Sequence, residues 1–321
     1  MAYSLDNRLV IGVASSALFD LREADAIFRT SGETVYRRYQ EEHLDDPLAP
    51  GVAFEFIRRI LLLNDLSPSP SDPLVEVVIM SRNDPDTGLR VMRSVAHHGL
   101  GITRAIFTAG SSPYEFIPAL NISLYLSADD KAVRAAVDAG HPAGFVLDST
   151  AANDAGEELR IAFDFDGVLT DDTAEQIYQS KDIVAFHASE SAQVAQAHPD
   201  GLLLPFLKAL SRIQQVERRR HDTTPGYRRR LSISIVTARN APSHERMIRS
   251  LGQWKVQVDN AFFLGGIEKG RIMQVLRPHI FFDDQQAHLT GTSKYAPSVH
   301  VPFGRLNQRS EELAGTGDSE S

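Results

Sequence analysis

The 321-residue sequence predicts an α/β protein built as two tandem copies of one doubly wound unit, each a parallel sheet between two layers of helices. Three observations predict it. Short apolar runs alternate with helical patterns, the runs end in polar or small-residue clusters, and the chain repeats itself at a shift of about 150 residues. In chain order the reading is strand 9–13, helices 33–43 and 53–63, strand 75–80, helix 87–97, strand 122–126 and helix 129–139. The second half follows with strand 159–163, helix 202–218, strand 231–236, helices 242–251 and 269–276, and strand 279–282. Each strand candidate is a brief apolar run, too short for a buried helix. Strands that alternate with helices imply parallel βαβ units, whose ligands sit beyond the carboxyl ends of the strands.

The repeat is specific in register. A shift of 150 lays Ile11-Gly-Val-Ala-Ser-Ser-Ala-Leu18 on Ile161-Ala-Phe-Asp-Phe-Asp-Gly-Val168, Gly51 on Gly201 and Phe56 on Phe206. A shift of 156 lays 75–129 on 231–285 without a gap. Its identities include Arg90 with Arg246, Ser94 with Ser250, Phe107 with Phe263 and Gly110 with Gly266. The difference between the shifts places an insertion within 211–230. The boundaries that follow are a first domain at 1–155, a second at 156–305 and a polar tail at 306–321 expected to be disordered.

Composition narrows the chemistry. The net charge of −9 argues against a nucleic-acid partner. The absence of cysteine excludes disulfide scaffolds, thiolate metal sites and thiol catalysis, and suits a reducing cytoplasm. The N-terminus does not read as a signal peptide, and no apolar run approaches the roughly 20 residues of a membrane span, so no membrane partner is expected.

Four motifs carry the chemistry. In Ile161-Ala-Phe-Asp-Phe-Asp-Gly-Val-Leu-Thr-Asp171, Asp164 and Asp166 are two apart on a strand and so are read as sharing a face. Carboxylates that close repel unless a cation or a shared proton compensates, and Mg²⁺ suits such oxygen ligands. In Ile233-Ser-Ile-Val-Thr-Ala-Arg239, the Thr237 hydroxyl and the backbone at Ala238 and Arg239 can cradle an anion near a helix start. In Phe263-Leu-Gly-Gly-Ile-Glu-Lys-Gly270, Lys269 supplies a point charge for phosphate. In His279-Ile-Phe-Phe-Asp-Asp-Gln285, a buried strand ends in Asp283 and Asp284. The remaining histidines show no metal-ligand spacing, and Trp254 reads as packing.

The ordered series D-x-D, Thr, Lys, D-D resembles the haloacid dehalogenase superfamily of phosphohydrolases. The span from about Val10 to Gly304 is further similar to the cytosolic 5′-nucleotidase type I family. That resemblance rests on Val13-Ala-Ser-Ser-Ala-Leu-Phe19, Leu124-Tyr-Leu-Ser-Ala-Asp129, Ile235-Val-Thr-Ala-Arg239, Arg277-Pro-His-Ile-Phe-Phe-Asp-Asp-Gln285 and His300-Val-Pro-Phe-Gly304. One departure is Asp164-Phe-Asp-Gly167, where animal members have Asp-Gly-Asp-Ala.

The resemblance implies two tandem haloacid-dehalogenase-like Rossmannoid units, the first degenerate and the second carrying a small cap within about 172–230. It implies hydrolysis of nucleoside 5′-monophosphates, AMP or IMP, to nucleoside and phosphate. Asp164 would be the nucleophile and Asp166 the general acid, then base. Thr237, Ala238, Arg239 and Lys269 would bind the phosphoryl group, with Thr237 and Lys269 also catalytic. Mg²⁺ would be held by Asp164, Asp166 and Asp283 or Asp284. Another small phosphate ester as substrate, or a non-enzymatic nucleotide binder, are the alternatives. In the first half Ala14, Ser16, Ser81, Pro113 and Ser127 stand where Asp164, Asp166, Thr237, Lys269 and Asp283 stand in the second, so no turnover is expected there. Family members respond to purine nucleotides such as ADP. A degenerate phosphate pocket around Ser81, Arg82, Gly110 and Ser111 is therefore one expectation for this half, and a homo-oligomer interface is another. The basic triplets 218–220 and 228–230 read as a solvated helix end and loop, or as a recruiting surface for an anionic nucleotide.

Overall fold

The computed structural model describes residues 4–152, 154–173, 183–304 and 307. They form two compact units. The first comprises Met1–Ala136, His141–Val146 and Ala155–Glu157, and the second Val137–Gly140, Leu147–Asp154 and Glu158–Ser321.

The first unit holds strands β1 (Leu9–Val13), β2 (Val75–Ser81), β3 (Arg104–Phe107), β4 (Leu124–Ser127) and β5 (Ala143–Val146). Its helices are α1 (Ser15–Leu18), α2 (Arg22–Glu42), α3 (Phe54–Leu62), α4 (Pro85–His97) and α5 (Asp130–Asp138). The strand order is β3-β2-β1-β4-β5 and every pairing is parallel. β1 and β2 are buried along their whole length, as their unbroken apolar runs require of strands covered on both faces.

The second unit holds β6 (Leu159–Phe163), β7 (Leu231–Thr237), β8 (Asn260–Phe263), β9 (Ile280–Asp283) and β10 (Ser298–His300). Its helices are α6 (Ile183–Ala192), α7 (Leu204–Thr223), α8 (His244–Gln253), α9 (Lys269–Leu276) and α10 (Gln286–Thr292). The order β8-β7-β6-β9-β10, again all parallel, matches that of the first unit strand for strand. Side-chain alternation gives this sheet two packed faces. On one, Phe163 stacks on its register partner Phe282 at 5.1 Å, and both lie 5.9 Å from Phe206 of α7. On the other, Ala162, Val236 and Phe281 pack with Met273 of α9 and Leu289 of α10. No described helix is long and apolar enough to cross a membrane.

The six central strands fall where the apolar runs place them. Four further strands escape that reading. β3 and β8 are outermost in their orders and only partly covered, and β5 and β10 have four and three residues, so none carries a long apolar run. The six-residue surplus of the second half lies between the start of α7 and β7. There α7 runs for 20 residues, whereas α3 stops after nine and gives way to a 3-10 turn. The chain returns to the sheet by folding onto Glu217, which is fully buried and accepts from Tyr227 Oη at 3.0 Å, Arg230 N at 2.6 Å and Leu231 N at 3.1 Å.

Of the basic triplets, Arg229 is tied to Asp259 at 2.7 Å, while Arg219, Arg220 and Arg228 are exposed. Residues 174–182 of the expected cap, and the expected tail except Asn307, lie outside the described residues. Asn307 itself donates to the backbone oxygens of Asp284 and Phe303 at 3.1 and 2.9 Å.

Candidate active site

The site is assembled where β6, β7 and β9 end. β6 stops at Phe163, and its ladder continues one bond further, Asp164 N donating to Phe282 O at 2.7 Å. Asp164 is buried; its Oδ1 accepts from Phe165 N at 2.7 Å and its Oδ2 lies 2.8 Å from Lys269 Nζ. Lys269, the first residue of α9, also donates to Asp283 Oδ2 at 2.7 Å and so bridges two carboxylates. Asp283 ends β9. Its Oδ1 accepts from Gln285 N at 2.9 Å, and His288 Nδ1 of α10 lies 3.2 Å from both of its oxygens. Burial drives the Asp164 carboxyl above its ordinary range, against the pull of Lys269 and with the repulsion of Asp283 and Asp166. Burial also works to raise Asp283, but Lys269 and His288 outweigh it and hold that carboxyl below its usual value. Lys269, despite its own burial, is held charged by Asp164 and Asp283.

Donor atoms of Asp164, Asp283 and His288 lie within 4.8 Å of one another. Two carboxylates and an imidazole form a donor set that fits a divalent cation. Gly167 adds to this fit. Its φ is +71°, and a Cβ there would stand 2.3 Å from Asp284 Oδ2, so only glycine lets the Asp284 carboxylate lie over the turn. Asp284 is buried, and its backbone oxygen accepts from His300 Nε2 at 3.1 Å.

The structure revises the sharing of one face by Asp164 and Asp166. The strand ends before Asp166, and residues 165–169 form a turn closed by Leu169 N to Phe165 O at 3.0 Å. The Asp166 carboxylate therefore joins a different charge network. Arg239 Nε and Nη2 grip its two oxygens at 2.7 Å each. Arg239 Nη1 bonds Glu190 Oε2, and Nη2 lies 3.0 Å from His198 Nε2. Glu190 takes Arg246 Nη1 on its other oxygen at 2.7 Å, and His198 Nδ1 lies 2.8 Å from Ser250 Oγ. The Arg239 guanidinium rests on the rings of Phe165 and Phe186, and Trp254 packs near Phe165. Burial alone would raise Glu190, but His198 and Arg239 bring it down to about 2. Burial, with the charges of Arg239 and Arg246, keeps His198 below its ordinary value although Glu190 pulls it upward.

Thr237 is buried at the end of β7, and its Oγ1 accepts from Arg239 N at 3.2 Å; Ala238 is exposed. The Arg239 side chain is committed to Asp166, Glu190 and His198. The sequence reading missed His288, Glu190 and His198. His288 follows Asp283 by five residues and reaches it only because α10 turns back over β9. Glu190 meets Arg239 across 49 positions, a distance that no local spacing encodes.

The same place in the first unit is chemically different. Ser15 Oγ and Ser81 Oγ share a buried hydrogen bond of 2.9 Å. Asn83 N donates to Ser81 Oγ at 3.2 Å, as Arg239 N does to Thr237, and Asp129 N donates to Ser127 Oγ at 3.1 Å, as Gln285 N does to Asp283. A cavity of about 1000 Å³ opens there, with Phe28, Tyr36, Ser81, Arg82 and Ser127 in its wall. Arg82 pairs with Asp129.

A family profile described as 5′-nucleotidase matches residues 1–308. Human cytosolic 5′-nucleotidase 1B is 32% identical over 309 residues, which are 93% of this chain and 49% of that protein. The chain thus spans about half the length of that curated relative. Among solved structures, the Pnkp1/Rnl/Hen1 complex shares 14% identity, covering 93% of this chain and 98% of that one, with a TM-score of 0.29. Histidinol dehydrogenase from Elizabethkingia anophelis shares 8% identity over 93% of this chain and 80% of its own, with a TM-score of 0.21. Likenesses that low say nothing about this fold. The profile match spans both units and all four motifs, and with it the chain belongs to the 5′-nucleotidase family.

Proposed function

We propose that the protein is a 5′-nucleotidase that hydrolyses nucleoside 5′-monophosphates, AMP or IMP foremost, to nucleoside and phosphate with Mg²⁺ as cofactor. The observation that carries this is the Asp164–Lys269–Asp283 cluster at the carboxyl ends of β6 and β9, in a chain of this family. The reaction runs in two displacements. A carboxylate oxygen of Asp164 bonds to phosphorus as the bond from phosphorus to the ribose 5′-oxygen breaks, and Asp166 gives that oxygen a proton. Asp166 then takes a proton from water, the water oxygen bonds to phosphorus and the bond to Asp164 breaks. Thr237 and Lys269 hold the phosphoryl oxygens as their charge grows. Asp164, Asp166 and Asp283 or Asp284 would hold Mg²⁺, which would supply positive charge to offset that of nucleophile and phosphate. His288 supports Asp283 through its Nδ1.

In this reading the chain is two haloacid-dehalogenase-like units, 1–155 degenerate and 156–305 catalytic, with the cap within 172–230. Their shared strand order supports the duplication. The first-unit cavity is the proposed seat of a regulatory purine nucleotide such as ADP, with a phosphate on the Ser81–Asn83 turn. Arg82→Ala should then remove activation by ADP while leaving basal turnover unchanged. Rates measured with and without ADP check this, and full activation in the variant would sink it. The decisive test of the whole reading is a panel of phosphate esters with and without Mg²⁺. Selective turnover of nucleoside 5′-monophosphates is expected, and a preference for sugar phosphates, or no turnover of any ester, would overturn it.

A further inference from the structure

Beyond the residues that face the phosphate, the second unit contains a buried charge network that ends at the reacting carboxylate. Glu190, on α6, is 2% exposed and has both oxygens occupied, one by Arg239 and His198, the other by Arg246. All three nitrogens of Arg239 are committed: Nη1 to Glu190, Nε and Nη2 to Asp166. A planar guanidinium held at both ends fixes the plane of the carboxylate that it grips. The gradient of exposure runs one way. Arg239, Glu190, His198 and Arg246 have side chains at most 8% exposed, whereas that of Asp166 is 14% exposed, at the edge of the site.

We propose that Glu190 is a positioning residue for Asp166, acting through Arg239. The inference rests on the role given to Asp166 above. Without Glu190, Arg239 loses its anchor and can swing about its side-chain torsions, so Asp166 no longer points at the leaving oxygen or the attacking water. Thr237 meets Arg239 only through the backbone N–H, and Lys269 bonds Asp164 and Asp283 instead, so capture of the phosphate should be little changed.

The test is a double-mutant cycle on the full chain with a nucleoside monophosphate as substrate. E190Q is expected to lower kcat roughly tenfold to a hundredfold, within the usual contribution of a general acid, with KM nearly unchanged. In the D166N background, E190Q should cost nothing further. Equal losses in both backgrounds, or a rise in KM as large as the fall in kcat, would show a structural role and overturn the inference. The D166N single variant separates the two layers: if it retains full kcat, the role of Asp166 itself is wrong; if it is slow and E190Q is not, only the positioning inference fails. Should E190Q melt below the assay temperature, H198Q, which removes one contact to both Glu190 and Arg239, is read in the same cycle. A smaller fall in kcat that vanishes in D166N is expected, and an additive fall would refute the proposal.

Discussion

The two units place the same strands in the same order and fill the same loop ends with opposite chemistry. In the second, Asp164, Asp283 and Lys269 form a buried cluster of charge; in the first, Ala14, Ser127 and Pro113 take those positions, beside a buried Ser15–Ser81 hydroxyl pair. The turns survive: the turn after β2 and the turn after β7 are both closed onto a hydroxyl at 3.2 Å. The difference teaches that this strand order forms with or without the charges, while the proposed turnover needs them.

The strongest way to break this contrast is to make the second unit resemble the first. Asp164→Asn should abolish hydrolysis while leaving the circular dichroism spectrum and the melting transition in place; residual turnover above a few per cent of wild type would refute the nucleophile. Next in size, Lys269→Met removes the cation between two buried carboxylates. It should lower kcat by roughly 10²–10³ and destabilise the chain by about 3–5 kcal/mol, read by kinetics and denaturant melts. Gly167→Ala should cost about 1–3 kcal/mol through its positive φ and its collision with Asp284, and should weaken Mg²⁺ activation; unchanged metal titration would break the link between the turn and the cation.

The smallest effect is the dependence of stability on pH. The folded values of Glu190 and His198 both lie below their ordinary ones of 4.5 and 6.5, so each contributes stability that is present at higher pH. That of His198 is lost as pH falls below 6.5, and that of Glu190 as pH falls from 4.5 towards about 2. Denaturant melts below pH 4.5 should show a flatter acid limb in Glu190→Gln than in the unaltered chain.

The sequence shows the centre of each sheet and the first contacts of the site, because both are local. Buried strands are continuous apolar runs, and Asp164, Lys269 and Asp283 each sit at the end of an element. Partly covered strands such as β8 carry no such run. Charge partners are set by how elements pack, and this is where local reading fails. Asp166 leaves the face of Asp164 because the chain turns at Gly167, Arg239 is drawn to Asp166 across 73 positions, and His288 arrives on a helix that periodicity did not reveal.

Gly51 and Gly201 sit at corresponding places. A Cβ would stand 2.8 Å from the backbone oxygen of Ala17 at one and 2.5 Å from that of Thr170 at the other. No room for a methyl group exists at either crossing, yet only one of them lies beside reactive groups. On the proposed duplication, steric demands of this kind would persist in the copy without the catalytic groups, whereas catalytic side chains would drift freely. An invariant glycine at this crossing in related chains would therefore mark the architecture, and it would be a misleading guide to which half does the work.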